Sequence, residues 1–152
     1  MQWTALVSAV VGAVIATASA AFLERDRWHR ERQERVVAVR RDLYGEYLAC
    51  LAQARNAFRG IARDQEMDRV TRERSARESF APCYGMRYQM SIMAPQEILT
   101  ASDDTFRRLR DVRDLTAQGA SARDEAYSNE RAEYEKALTR LRTAMRTDLG
   151  AD

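Results

Sequence analysis

The sequence predicts an all-α protein, with an N-terminal transmembrane helix continuing into an antiparallel helical bundle with coiled-coil-like stripes. Three observations carry that expectation. Residues 1–23 contain no charged side chain, and the next four are Glu24, Arg25, Asp26 and Arg27. Glycine and proline are scarce, six and two in 152 residues. Beyond the charged border, apolar residues recur at gaps of three and four, which marks one face of a helix.

The apolar run extends from about Trp3 to Leu23. About 20 helical residues cross a hydrocarbon core of about 30 Å, so the run is just long enough. Insertion rests on Leu6, Val7, Val10, Val11, Val14, Ile15, Phe22 and Leu23, with Trp3 suited to an interface. A cleaved signal peptide is the rival reading, because Ala18-Ser19-Ala20 resembles a cleavage site. A signal peptide, however, carries positive charge before its apolar stretch, and here the arginines follow it. Arginine near a membrane end stays on the cytoplasmic side, so the N-terminus is expected outside and the C-terminal domain in the cytoplasm. Arg25, Arg27 and Arg30 are then candidate contacts for lipid headgroups. Ser8, Gly12, Ala16 and Ala20 recur every four residues, a spacing that lets membrane helices pack closely.

Residues 24–41 read as a charged juxtamembrane stalk and 42–152 as the cytoplasmic bundle. Residues 24–63 hold ten arginines against six acids, a net +4 in a chain of net +2. The positive excess therefore lies beside the anchor rather than in a patch suited to nucleic acid. No glycine or proline occurs between Gly12 and Gly45, so a first cytoplasmic helix over about 24–62 continues from the anchor. It would extend roughly 58 Å at the standard rise. Its stripe is Val36, Leu43, Tyr47, Cys50, Ala54, Phe58 and Ile61, widened by Val37, Tyr44 and Leu51.

Asp64 or Asp68 can cap a second helix over 68–93, kinked or divided near Pro82 and weakened at Gly85. Tyr84, Met86, Tyr88, Met90 and Ile92 alternate with smaller or polar residues, a strand-like period of two. A lone strand has no partner, so helix is the expectation there. These Tyr and Met residues read mainly as core, and otherwise as a groove for a partner. Pro95 suits the start of a third helix over 95–118, with Ile98, Leu99, Phe106, Leu109, Val112 and Leu115 on its face. Asp103–Arg107 and Asp104–Arg108 are expected as pairs four residues apart. Ser121 is the expected N-cap of a last helix over 122–149, striped by Tyr127, Arg131, Tyr134, Leu138, Leu141, Met145 and Leu149. Gly150 is its natural stop.

No catalytic constellation emerges, and the expectation is a protein without enzymatic activity, cofactor or metal. The single histidine, His29, has only Asp26 three residues before it, and two such groups do not make a metal site. Cys50 and Cys83 fit no metal or redox motif. Their midpoint falls in the predicted turn between the first two helices, so an antiparallel hairpin would hold them at one height. They are a candidate thiol pair, as free buried thiols in a cytoplasm or as a disulfide if the topology is inverted. No small-molecule substrate is evident. The expected partners are membrane lipids, and another membrane protein or a second copy of the chain.

The charged start at 24–27, the run Arg40-Arg41-Asp42-Leu43-Tyr44, and Met93-Ala94-Pro95-Gln96-Glu97 opening a helix give the chain a further likeness. It resembles the small, uncharacterised, single-pass membrane-anchored helical proteins of actinobacteria. That resemblance implies the anchor and the helical domain, and it implies no activity.

Overall fold

The computed structural model describes the backbone of residues 2–151, and the side chains of residues 24–151 except Asp26 and His29. Among the described residues there are four helices and no strand: α1 Gln2–Arg63, α2 Arg69–Met93, α3 Gln96–Ala117 and α4 Glu125–Asp148. The chain divides into two compact units, Met1–Val39 and Arg40–Asp152. In the first, the side chains that are described lie on the surface almost throughout, Trp28 among them. The second is a helical bundle.

Cross-helix bonds fix the order within the bundle. Arg40 donates to the Met93 carbonyl, and Cys50 touches Cys83, so α1 and α2 run in opposite directions. Arg87 meets Asp103 and Arg113 meets Tyr84, which makes α2 and α3 antiparallel. Arg140 meets Asp104 and Arg108 meets Glu130, which does the same for α3 and α4. Tyr44 meets Asp148 and Arg55 meets Glu135, so α4 returns antiparallel to α1. Connections this short between helices lead to such an up-and-down arrangement.

Each turn has a local chemical cause. The Asp64 carboxylate accepts from the Glu66 and Met67 amides at 3.1 and 3.2 Å, shaping the first turn. Asp68 then caps α2 by accepting from the Thr71 amide at 3.0 Å. Both aspartates are used, where the sequence offered them as alternatives. Buried Arg72 closes the turn by donating to the Asp64 and Met67 carbonyls at 2.9 and 3.0 Å. α3 and α4 end alike. The amides of Gly119 and Ala120 reach back to the Thr116 and Leu115 carbonyls, and those of Gly150 and Ala151 to the Thr147 and Arg146 carbonyls. Both glycines have positive φ, 97° and 65°, which a side chain would oppose.

Of the two readings of α2, kinked or divided near Pro82, the undivided helix is the one found, with Pro82 on its exposed side, where water can satisfy the carbonyl it leaves unbonded. Two expectations change. α4 begins at Glu125, with Asp124 at its N-cap and Ser121 in the preceding turn. There Ser121 donates its amide to the Asp124 carboxylate at 2.7 Å, because Asp124 has the longer reach back across that turn. Val36 and Val37 are exposed rather than part of the buried stripe; they precede the bundle unit, and burial begins at Leu43.

The core combines the stripes of all four helices: Tyr47, Leu51 and Phe58 from α1, Phe80, Cys83 and Met90 from α2, Ile98, Phe106 and Leu109 from α3, and Tyr134, Leu141 and Met145 from α4. Removing side chains of this size from water contributes about 1.5–3 kcal/mol each before entropy is counted. Between α2 and α3, buried Phe80 and Phe106 and the partly exposed Tyr84 form a ring cluster with centroids 4.8–5.4 Å apart. Arginine guanidinium groups lie over two of these rings, Arg87 over Phe106 at 4.9 Å and Arg113 over Phe80 at 5.1 Å. Such contacts seal the cluster with cations whose stems stay dry.

Candidate functional site

Two places in the bundle carry groups that helix packing alone does not require. The first is the thiol pair. Cys50 on α1 is half-buried and Cys83 on α2 is buried, and their Sγ atoms are 3.1 Å apart. Both are free. The register argument from the sequence thus places them as the structure does. Burial pushes the Cys83 thiol well above its ordinary pKa, and the contact with Cys50 adds to this. The pair sits among tyrosines. Tyr47, whose pKa burial pushes up to about 12, accepts a hydrogen bond from the Ser102 hydroxyl at 3.0 Å. Tyr134 is equally enclosed, its pKa raised chiefly by burial, and its hydroxyl has no hydrogen-bond partner among the described residues.

The second place is the outer face of α2. Tyr84, Tyr88 and Ile92 lie four residues apart and are 42, 73 and 79 % exposed. Tyr84 and Tyr88, with Leu99 and Ser102 of α3, border a groove of about 360 Å³, crossed by the Arg87–Asp103 ion pair at 2.9 Å. The Tyr and Met segment expected mainly as core is therefore divided. Cys83 and Met90 face inward, Met86 and Met93 lie at the boundary, and the tyrosines and Ile92 face out.

The expected pairs of α3 four residues apart give way to three bridges to other helices and one pair three residues apart. Asp103 takes Arg87 of α2, Arg108 takes Glu130 of α4, and Asp104 takes both Arg107 and Arg140 at 2.6 Å. Hydrogen bonds from Arg107 and then Arg140 hold the Asp104 carboxyl below the usual range. A carboxylate on a packed helix face meets the neighbouring helix's guanidinium groups as readily as those on its own.

Arg25, Arg27 and Arg30 are exposed. The face Ser8, Gly12, Ala16, Ala20 and the His29 side chain lie outside the residues whose side chains are described, as does the apolar run 3–23. Among the described residues no helix is long and apolar enough to cross a membrane, and no group of three or more potential metal ligands occurs. No family model, curated protein or solved structure matches the chain.

Proposed function

We infer that the protein is a single-pass membrane-anchored interaction module. Residues 1–23 form the anchor and the helical bundle lies in the cytoplasm. The protein works by binding other proteins, as a scaffold or as an accessory subunit of a membrane complex, without catalysis. The observation that carries this reading is the charge-free run of residues 1–23 ending at Glu24-Arg25-Asp26-Arg27. Exposed Arg25, Arg27 and Arg30 suit anionic headgroups beside such an anchor. The outward Tyr88 and Ile92 leave the bundle with apolar surface that its own core does not use, as an interaction module needs. A triad-type site would have to be built on His29, the only histidine, in a stretch of dense charge.

Alkaline carbonate extraction of membranes, with a tag at either end probed by protease, tests anchor and topology together. The expected result is a carbonate-resistant chain whose C-terminal tag is shielded in intact cells. Release into the wash overturns the anchor.

A second reading is a helical protein outside the cytoplasm, freed by cleavage near Ala18-Ser19-Ala20. A Cys50–Cys83 disulfide in the protein as isolated would favour it, since disulfides persist in oxidising compartments. An intact mass lacking the first twenty or so residues would establish it.

A further inference from the structure

We propose that Cys50 and Cys83 form an intramolecular thiol–disulfide exchange site that takes low-molecular-weight disulfides as its oxidant and locks α1 to α2. The proposal is independent of the anchor reading, because both thiols lie inside the bundle.

Three observations converge on it. The sulfur atoms are 3.1 Å apart, so an approach of about 1 Å gives the bonded distance. Side-chain rotation supplies movement of that size. The two thiols also differ in access: Cys50 is half-buried on α1 and Cys83 is fully enclosed on α2. Finally, Cys83 directly follows Pro82, where α2 lacks one backbone hydrogen bond and can give slightly.

The difference in access sets the order of events. The Cys50 thiolate attacks one sulfur of a small disulfide, forming a mixed disulfide and releasing one thiolate of the oxidant. The Cys83 thiol then loses its proton to solvent, and its sulfur attacks the Cys50 Sγ. The bond to the oxidant's second half breaks, and that half leaves as thiolate. Both leaving thiolates take up protons. Two protein thiols are oxidised and one small disulfide is reduced to two thiols. Burial holds the Cys83 thiol protonated, so the second step is the slower and the mixed disulfide at Cys50 accumulates first. The closed bond spans 33 residues of chain, including the whole turn between α1 and α2.

The test uses the full-length chain in detergent, reduced and then exposed to oxidised glutathione. Samples are quenched with acid, alkylated with N-ethylmaleimide and weighed intact. The expected sequence is a transient species with one glutathione on Cys50. A product then follows that carries neither glutathione nor maleimide and is lighter than the reduced chain by the two thiol hydrogens. Its Tm should rise by about 10 °C and fall back on reduction. Cys83→Ala should stop at glutathionylated Cys50, and Cys50→Ala should gain no adduct in the same interval, with circular dichroism confirming that both keep their helices. The proposal is overturned if wild-type protein keeps glutathione on Cys50, has both thiols alkylated at the end, or yields chains joined to one another. The wild-type mass decides the matter even if a variant fails to fold.

Discussion

α4 and α2 are helices of nearly equal length in the same bundle, yet they use their large apolar residues differently. α4 places Tyr127, Tyr134, Leu138, Leu141 and Met145 in the core and keeps none of its large apolar side chains strongly exposed. α2 buries Phe80, Cys83 and Met90 and leaves Tyr84, Tyr88 and Ile92 facing outward. α4 thus commits its large apolar side chains to the core. α2 divides one helix between a core face and a surface face, on a backbone already weakened by Pro82 and Gly85. The exposed apolar surface of α2 is not explained by folding, and it is the surface the proposed interaction would use.

Substitutions that compare the two helices give the largest effects. Leu141→Ala in α4 and Phe80→Ala in α2 should each cost about 3–5 kcal/mol in denaturant unfolding. Tyr88→Ala and Ile92→Ala should stay within about 0.5 kcal/mol of wild type. A large loss at Ile92 would mean that the outer face of α2 is structural after all.

Alkaline pH sharpens the same contrast, because the buried tyrosines lie on α1 and α4 and the exposed ones on α2. The Tyr47 pKa is raised from 10.0 to about 12, chiefly by burial. A raised pKa means that its contribution is complete below the unfolded value and is lost as pH rises through the folded one. Stability should therefore fall between pH 10 and about 12, by about 2–3 kcal/mol for Tyr47 alone. Tyr44 and Tyr134, raised in the same direction, extend the loss upward. Melts in that window, with tyrosinate absorbance read alongside, should show the core tyrosines Tyr44, Tyr47 and Tyr134 ionising only as the bundle unfolds.

Two phenylalanine substitutions separate satisfied from unsatisfied burial. Tyr47→Phe strands the Ser102 hydroxyl and should cost about 1 kcal/mol. Tyr134→Phe deletes a hydroxyl that has no partner and should be neutral or stabilising. Smallest of all, Asp104→Asn should cost no more than about 1 kcal/mol, and high salt should erase the difference.

Much of this bundle was legible in the sequence. Helix positions, the Asp68 cap, the stop at Gly150 and the register that brings Cys50 to Cys83 all follow from local rules and from chain length between breaks. What local rules could not give was rotation of α2 about its axis. Tyr84, Met86, Met90 and Ile92 are comparably apolar, and which of them turn inward depends on how Phe80 meets Phe106 and Phe58. The ionic pairing failed for a similar reason. Asp103 and Asp104 have arginines four residues away, and the guanidinium groups that bind them come from α2, from α4 and from one residue three places along α3. Ser121 looked like a cap because spacing alone cannot tell a helix start from the turn before it.

The most direct measurement is purification of the tagged full-length chain in mild detergent, with the composition and mass of the complex determined. A stoichiometric protein partner or a defined homo-oligomer is expected, weakened by Gly12→Leu in the proposed anchor or by Ile92→Glu on α2. A monomer of this chain alone, with its membrane association intact, would contradict the proposed function.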